Sequence, residues 1–500
     1  MDPSLASLIC ACGIIGLFYL DRDKTVRTSK ALWLPVMYLW IVGSRPVSDW
    51  LSITPAAGTN VQLNGSPLDA AVLGALLIAA IAVIVRRGKR TLSFITLNWP
   101  ILVYFLYCLV SVVWSYHPDV AFKRWIKSIA DLAMCLIIVT DPQPVAALKR
   151  VISRVGFLLL PVSILLIKYY GELGRGYTPD GLPMNTGVTT FKNELGVTVL
   201  VVSLYTVWHV ITLVRTRDLP HRGRHLLAQG ALLAFGVALF VMADSQTSIA
   251  CFILGCGLIL ATELKITRRR PALVHVLCLL VLLTGGLTLF FGGGAGVANA
   301  MGRDSDFSGR TAIWAALIKA APNAVTGAGF ESFWISPNVL KFQHTLASEG
   351  WWHPEGLNEA HDGYLEVYLN LGLVGVGLIL WVLVSGYGRA VAAFRRNPSL
   401  GGLMLAYIIP SFFYNFTEAG FRMVSLIWIF LLLAIVSASG IAAGIFGSEM
   451  PVIPDTRRSM AKVIHATSTR AQPGNRSPQL LNCIARPGPK PDFLPSKFLS

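Results

Sequence analysis

Residues 363–387 read GYLEVYLNLGLVGVGLILWVLVSGY, and Glu366 is the only charged residue in this run. A helix of this length crosses a hydrocarbon core about 30 Å thick. Comparable apolar runs of roughly 17 to 25 residues recur along the chain. They lie at 4–20, 31–49, 69–85, 93–113, 125–140, 151–168, 193–214, 226–243, 247–264, 272–291, 363–387, 400–417 and 423–445. The sequence therefore predicts an all-α polytopic integral membrane protein with about 12–13 transmembrane helices.

The composition agrees with a membrane protein. The chain is 54% hydrophobic and 14% charged, with a mean hydropathy of +0.61, whereas charged residues make up about a quarter of a soluble domain. The first residues, MDPSLASLIC, contain no basic segment, so the first apolar run is predicted to be an uncleaved span. We interpret the net charge of +16 as a signal of topology and of contact with anionic lipid, not of nucleic-acid binding.

The loops predict the orientation, because short cytoplasmic loops are rich in Lys and Arg. Basic residues follow the odd-numbered spans. They are Arg22, Lys24, Arg27 and Lys30; Arg86, Arg87, Lys89 and Arg90; Lys149 and Arg150; Arg215, Arg217, Arg222 and Arg224; Arg268, Arg269 and Arg270; Arg395 and Arg396. The N-terminus is therefore predicted to lie outside, and the basic loops and the C-terminal tail in the cytoplasm.

The chain divides into four predicted parts. Residues 1–290 hold about ten spans, residues 291–362 form one long extracytoplasmic loop with short helices, and residues 363–445 hold the last spans. Residues 446–500 are rich in Pro, Arg and Ser and lack an apolar period, so a disordered cytoplasmic tail is expected. A loop as long as 291–362 is unusual without a function of its own.

A helix is predicted inside this loop. Ser308 can cap it, and Ile313, Trp314, Leu317 and Ile318 share one apolar face at helical spacing. Arg310 stands in its first turn, where a helix favours an anion, so this cation is out of place unless it binds a ligand. An amphipathic helix resting on the membrane surface is the alternative interpretation.

The residues around the start of the 363–387 run form a second candidate group. His361, Leu365, Tyr368, Gly372 and Gly375 would share one face of a continuous helix. Asp362, Glu366 and Asn370 form a second stripe that runs into the membrane. Ionisable residues in a span usually face a watery cavity and mark function. The alternative is that Asp362 and Glu366 are interfacial groups wetted by lipid headgroups and that His361 neighbours a helix cap.

Polar residues also gather at other predicted outer edges. Lys192 and Asn193 lie in FKNELG, Arg124 lies in KRWIK, and Gln246 lies in the turn DSQTS. A cluster of outward cations suits a lipid-linked phosphate, although each one singly fits a snorkelling anchor. Three further residues of the long loop are candidates for substrate binding: Arg303, Trp314 and Phe330. Aromatic rings there would suit either sugar stacking or a membrane-interface belt.

Together these segments resemble the bacterial O-antigen ligase and polymerase family. HDGYLEVYLNLGLVG is similar to the family's signature of a His and usually an Asn, followed by Gly-x-x-Gly. GRTAIWAALIKAAPNAVTGAGFESFW is similar to its outer-loop block, and FKNELG to its Lys-Asn-x-Leu-Gly element. VVWSYHPDVAFKRW resembles a Trp-Ser-x-x-Pro element of exopolysaccharide-production members. The resemblance covers residues from about Ser111 to Gly377.

The resemblance implies an enzyme of the bacterial inner membrane. It would move a glycan from undecaprenyl diphosphate to a sugar hydroxyl at the periplasmic face, with no cofactor and no metal. Arg310 would stabilise the diphosphate leaving group, and His361 would orient or deprotonate the acceptor hydroxyl. The expected partners are the lipid-linked donor, an acceptor that is either lipid A core or a growing polysaccharide, and membrane lipids.

Two residues depart from the family pattern. Asp362 stands where Asn is commoner, and a carboxylate there would tend to raise the pKa of His361. Gln246 stands where many members carry Arg or Lys, so a second diphosphate-binding cation is either missing or supplied by Lys192 or Arg124.

Several alternatives stay open at this point. A ligase and a polymerase share the donor and the motifs, and a related group glycosylates protein. A polysaccharide transporter or lipid-linked sugar flippase also fits about thirteen spans with scattered charges, although its site is expected at mid-bilayer rather than at the outer edge. The spacing of His344, His353 and His361 lacks a zinc pattern.

Overall fold

The computed structural model describes residues 2–23, 26–53, 65–178, 181–216, 220–290, 308–348 and 357–446. These residues are almost entirely helical. The helices are α1 Pro3–Leu20, α2 Trp33–Val42, α3 Val47–Trp50, α4 Pro67–Arg86, α5 Gly88–Leu97, α6 Trp99–Ser111, α7 Pro118–Val139, α8 Pro144–Tyr169, α9 Gly171–Gly174, α10 Lys192–Arg215, α11 Arg222–Ala243, α12 Gln246–Glu263, α13 Lys265–Arg269, α14 Ala272–Phe290, α15 Ser308–Ala320, α16 Asn338–Ser348, α17 Gly363–Arg396, α18 Pro398–Tyr414 and α19 Leu426–Ala442. Short 3-10 turns at Lys30–Leu32, Val112–Trp114 and Phe333–Ile335 join them. Strands β1 Arg175–Tyr177 and β2 Pro183–Asn185 pair antiparallel between α9 and α10.

The fold confirms the predicted all-α polytopic membrane protein. Within the described residues, 7 helices are long and apolar enough to span a membrane, or up to 8 if α5 and α6 count as one bent span. Shorter apolar helices lie at Lys30–Val42, Pro398–Tyr414 and Leu426–Ala442. Every predicted apolar run overlaps a helix, while the count of about 12–13 spans stays a prediction.

The predicted span 93–113 is broken in the structure. Gly88–Leu97 and Trp99–Trp114 meet at Asn98 with a bend of 86°. Pro100 explains the break, because proline has no N–H and its ring clashes with the carbonyl of the preceding turn. The Asn98 amide donates to the Phe94 carbonyl at 2.8 Å and closes the end of α5.

The predicted continuous helix after His361 is also wrong in part. The helix starts at Gly363, and Gly372 within α17 has φ +64° and ψ −166°, which is not helical. The outer-loop segment 324–329 lies against this break. Its contacts are Ala328 N–H to Leu369 O at 2.9 Å, Gly329 N–H to Asn370 O at 2.8 Å, and Leu373 N–H to Ala324 O at 2.8 Å.

Two cores organise the described residues. Helices α18 and α19 are buried on almost all sides and lie at the centre of the large apolar core. A smaller core forms in the outer loop, where Ile313 and Leu317 of α15 pack with Phe333 and Phe342. Ile313 and Leu317 of α15 therefore pack onto the loop itself, whereas Ile318 of the same predicted face is 54% exposed. In the alternative interpretation, the apolar face of this helix rests on the membrane. Ile313 and Leu317 face the smaller core instead.

Candidate functional site

The loop between α18 and α19, residues 415–425, organises the candidate site. Its backbone carbonyl at Asn415 accepts a hydrogen bond from the Gly363 amide at 2.7 Å. The Asn415 side-chain oxygen accepts from the Gly420 and Phe421 amides at 2.9 and 2.8 Å. A Cβ on Gly363 would lie 1.9 Å from that oxygen. This 415–425 loop is thereby tied to the first residue of α17, next to His361.

His361 occupies a strained position directly before α17. Its φ is +51°, a left-handed value that is uncommon for a residue other than glycine. The next residue, Asp362, is the N-cap of α17, and its carboxylate accepts from the Leu365 amide at 2.8 Å. Strain of this kind persists only where the surroundings hold it, and it concentrates at functional sites.

The side chain of His361 lies between two carboxylates. Its Nδ1 is 3.0 Å from Glu359 Oε1 and 3.7 Å from Glu418 Oε2. Both contacts are ion-pair contacts when the ring is protonated. The side chain of Glu418 is 8% exposed and that of His361 is 31% exposed, so the carboxylate lies below a ring that still reaches the surface.

Two arginines extend this group at both ends. Arg310 Nη2 lies 3.7 Å from Glu418 Oε1, and Arg422 Nη1 lies 2.9 Å from Glu359 Oε2. The order Arg310, Glu418, His361, Glu359, Arg422 alternates in charge, and we call it the charge chain. Its two guanidinium groups remain partly exposed, at 33% and 45% of their side-chain surface. An anion arriving from outside would meet cations first.

The electrostatics make His361 a cation at neutral pH. Burial of the ring lowers its pKa, but Glu359 and Glu418 outweigh burial and raise the pKa of His361 to about 9. Burial raises the pKa of Glu359, while His361, Arg422 and Arg310 more than offset this and leave it below its ordinary value. We expected Asp362 to raise the pKa of His361. The carboxylates that raise it are Glu359 and Glu418. Asp362 itself has a raised pKa because it is buried, although the Leu365 and Tyr364 amides and Arg310 oppose that shift.

Among the other predicted residues, Arg310 belongs to the charge chain and Asn193 contacts it. Arg310 Nη1 donates to the Thr417 carbonyl at 2.7 Å, which places α15 against the 415–425 loop. Asn193 donates from its side chain to Glu418 Oε1 at 2.9 Å. Lys192 begins α10 next to Asn193, is half-buried and has no ion pair with another described residue.

Three other predicted residues make hydrogen bonds to groups that are not members of the charge chain. The Arg124 guanidinium donates to the backbone carbonyl of Glu331. Gln246 is exposed and donates to Asp244 Oδ1 at 2.9 Å. Trp314 donates from its indole to the Ala360 carbonyl at 2.9 Å, so it braces the segment before His361. Arg303 lies outside the described residues.

Glu366 and Phe330, which were predicted to bind substrate, are both buried. Glu366 is 7% exposed, and it accepts from the Trp334 indole at 3.0 Å and from the Ala360 amide at 2.7 Å. It therefore holds the outer loop on α17. Phe330 is 5% exposed and packs in the large core, because the Gly327 to Gly329 turn brings it under the loop.

Sequence reasoning missed Glu359, Glu418 and Arg422. Glu418 and Arg422 lie in the segment NFTEAGFR, which separates two apolar runs. Two charged residues in such a short outer turn were the available signal. Their pairing with residues far along the chain was not visible, since Asn193 and Glu418 are 225 residues apart.

The same residues can be tested as a metal site. Glu359, His361 and Glu418 each offer one ligand atom, and these atoms lie within 4.8 Å of one another. The site fits a metal poorly, because a cation would have to displace the proton of His361. It would also compete with Arg310 and Arg422 for the two carboxylates.

Two comparisons with known proteins match parts of this chain. Residues 231–382 match the family model described as O-antigen ligase. The chain is also 23% identical over 292 residues to an exopolysaccharide production protein, ExoQ, of Rhizobium meliloti (strain 1021). That match covers 56% of this chain and 62% of the relative, so the chain spans less than two thirds of the relative's length. These matches confirm the predicted resemblance to the O-antigen ligase and polymerase family.

Proposed function

We propose, on the premise of this family resemblance, that the protein transfers a glycan from undecaprenyl diphosphate to a sugar hydroxyl at the periplasmic face. The observation that carries the proposal is the charge chain. It combines two partly exposed guanidinium groups with a cationic imidazole and two carboxylates at one end of the helix bundle. Such a group can bind a diphosphate and move a proton at the same place.

The reaction needs a site for the departing diphosphate. The acceptor hydroxyl oxygen would attack the anomeric carbon, and the bond from that carbon to the phosphate oxygen would break. The electron pair leaves with undecaprenyl diphosphate, where charge develops that preorganised cations stabilise. Arg310 suits this role, since its contact with Glu418 at 3.7 Å is loose enough to exchange for a phosphate oxygen. Lys192 and Arg422 are the further cations proposed for this site.

The protonation state of His361 assigns its role. With a pKa of about 9, the ring is an imidazolium at neutral pH and donates hydrogen bonds. We therefore assign His361 to orienting the acceptor or the diphosphate, while the hydroxyl proton passes to the carboxylate of Glu359 or Glu418. This differs from the neutral imidazole base that the ordinary pKa of about 6.5 favours.

A repeat-unit polymerase is the second candidate. The relative from Rhizobium meliloti is an exopolysaccharide production protein, and the Trp-Ser-x-x-Pro element at residues 114–118 points in the same direction. Ligase and polymerase would use the same donor chemistry, so the acceptor alone separates them.

The test is the surface polysaccharide of the native host, with the gene deleted and then restored as wild type, His361→Ala or Arg310→Ala. We expect both variants to insert into the membrane and to lose glycan transfer by at least about 100-fold, as when a group that stabilises a transition-state oxyanion is removed. The control is His275→Ala, which changes an exposed histidine that contacts Tyr387.

The products distinguish the candidates. Long chains that accumulate on the lipid carrier, with bare lipid A core, would identify a ligase. Single repeat units without long polymer would identify a polymerase. Full transfer in both His361→Ala and Arg310→Ala would refute the assignment of the charge chain.

A further inference from the structure

Two carboxylates outside the charge chain hold the end of the 415–425 loop. The Met423 amide donates to Glu331 Oε1 at 3.1 Å, and the Val424 amide donates to Asp131 Oδ2 at 3.1 Å. Asp131 lies on α7 and is 0% exposed. Its second oxygen accepts from the Tyr38 hydroxyl at 2.7 Å. The glycan-transfer scheme has no use for this buried carboxylate, so its contact with the loop needs an explanation.

The backbone of Val424 requires support. Its φ is +56°, and a β-branched residue in this region is a genuine conformational outlier. Such a conformation persists only when surrounding contacts over-determine it. The two loop amides donate to carboxyl oxygens that other elements of the fold hold in place, and this restrains the backbone at residues 423 and 424. Asp131 and Glu331 therefore supply the contacts that a left-handed Val424 needs.

Glu331 is itself fixed from two sides. Its φ is +50°, and its carbonyl accepts from the Arg124 guanidinium, about two turns before Asp131 on the same helix. The following amides, Ser332 and Phe333, donate to Asn370 Oδ1 of α17 at 2.7 and 2.9 Å. The carboxylate of Glu331 thus points at Met423 from a backbone that both α7 and α17 hold.

The two held amides immediately follow Arg422. Arg422 Nη1 lies 2.9 Å from Glu359 Oε2, and Glu359 Oε1 lies 3.0 Å from His361 Nδ1. If the backbone at 423–424 relaxes out of the left-handed region, the guanidinium moves and Glu359 loses its partner. The Glu359 carboxylate would then no longer be fixed relative to the His361 ring.

We propose that Asp131 and Glu331 are positioning residues that hold Arg422, and through it Glu359 and His361, in the charge chain. The inference rests on the proposed function, because the arrangement that they hold is the proposed site of glycan transfer. Neither carboxylate contacts the substrate in this scheme.

The first readout reports the loop and does not depend on transfer. Ala419→Cys places a thiol in the 415–425 loop of the full-length protein in membrane vesicles. Its labelling rate with a negatively charged methanethiosulfonate reagent is measured, with the chain lacking Ala419→Cys as background. We expect labelling about 10-fold faster with Asp131→Ala or Glu331→Ala, since each leaves a loop amide without its acceptor. Asp131→Asn and Glu331→Gln keep an acceptor oxygen and should label within about two-fold of wild type.

The second readout is glycan transfer with a suppressor. Asp131→Ala should lower transfer about 10-fold, the same factor as the loop opening. Adding Val424→Gly should restore much of it, because glycine adopts a positive φ without the cost that valine carries. Asp119→Ala is the matched control, since this aspartate is exposed on the first turn of α7 and pairs with exposed Lys123.

The outcomes separate the two ideas. Unchanged labelling in both alanine variants would overturn the positioning role, as would faster labelling with undiminished transfer. Transfer could also be lost in Asp131→Asn and Glu331→Gln and not be restored by Val424→Gly. That result would mark a merely structural defect and would overturn the positioning role as well. If His361→Ala retains full transfer, the proposed function fails while the labelling still reports whether the carboxylates hold the loop. The two carboxylates are changed separately, so poor insertion of one variant leaves the other to decide.

Discussion

His361 combines a left-handed backbone, two carboxylate neighbours and a partly exposed ring. The histidine has an unusual pKa because the chain brings Glu359 and Glu418 to the same nitrogen. Those carboxylates are in turn neutralised from outside by Arg422 and Arg310. A diphosphate that takes over the guanidinium groups would leave the two carboxylates to the imidazolium. In the proposed reaction, these shared partners would couple substrate binding to proton movement.

This coupling predicts a pH dependence. The folded pKa of His361, about 9, lies above the ordinary value of 6.5, so its contribution to stability is fully present below about pH 6.5. It is lost as pH rises through about 9. We expect the melting temperature of wild type in detergent to exceed that of His361→Gln by most at about pH 6, and the difference to shrink toward pH 10. The imidazolium role also predicts that transfer falls through the same range.

A variant of the carboxylate checks the cause. Glu418→Gln removes one of the two groups that raise the pKa of His361, so both profiles should move to lower pH. Glu172→Gln is the matched control, because Glu172 is exposed in the short helix α9. Transfer that rises with pH through 9 in wild type would show that the neutral ring is the active form.

Helix α17 connects the site to the membrane core through a break. Gly372 leaves the helical region, and the outer-loop segment 324–329 fills the gap with backbone hydrogen bonds. A Cβ at Gly372 would lie 2.2 Å from the Val325 carbonyl carbon. The loop is therefore docked onto the helix by its backbone, and the docking fixes Glu331, Trp334 and the segment before His361.

Gly372→Ala should disrupt this docking. The positive φ alone costs an L-residue about 1–3 kcal/mol, and the contact with Val325 adds to that cost. Gly377→Ala is the matched control on the same helix, since a Cβ there has nothing within 4 Å. We expect a lower melting temperature and weak transfer for Gly372→Ala, and an unchanged or slightly raised melting temperature for Gly377→Ala. Equal stability of the two variants would mean that the break is not required.

The candidate site lies at one end of the described helix bundle. The starts of α1, α10 and α17 and the ends of α8 and α18 meet there, linked by contacts such as Tyr170 to Ser7 at 2.8 Å and Asn193 to Glu418 at 2.9 Å. The basic loops that predict the cytoplasmic side belong to the opposite helix ends. This arrangement predicts that the charge chain faces the periplasm.

Cysteine labelling in whole cells tests that orientation. Glu172→Cys lies at the end that carries the site, and Arg269→Cys lies at the basic end; both positions are exposed. A membrane-impermeant thiol reagent should label Glu172→Cys in intact cells and Arg269→Cys only after permeabilisation. The reverse pattern would place the site in the cytoplasm and rule out a periplasmic acceptor.

Much of the fold could be predicted from the sequence, and only part of the site. Every predicted apolar run overlaps a helix of the structure. Four site candidates were identified from the sequence: Arg310, His361, Lys192 and Asn193. The burial of Phe330 and Glu366 could not be predicted, because a residue type does not reveal where a side chain lies in the fold. Both are less than a tenth exposed once the outer loop docks on α17.

The sequence alone determined the membrane setting, the helical class and the polar segments at the outer ends. These depend on hydropathy and spacing, which are properties of neighbouring residues in the chain. Only the tertiary structure decided which charges pair, where α17 breaks, and that Glu359, Glu418 and Arg422 surround His361. Such contacts join residues from distant segments, and left-handed conformations at His361 and Val424 exist only because packing around them supports the strain.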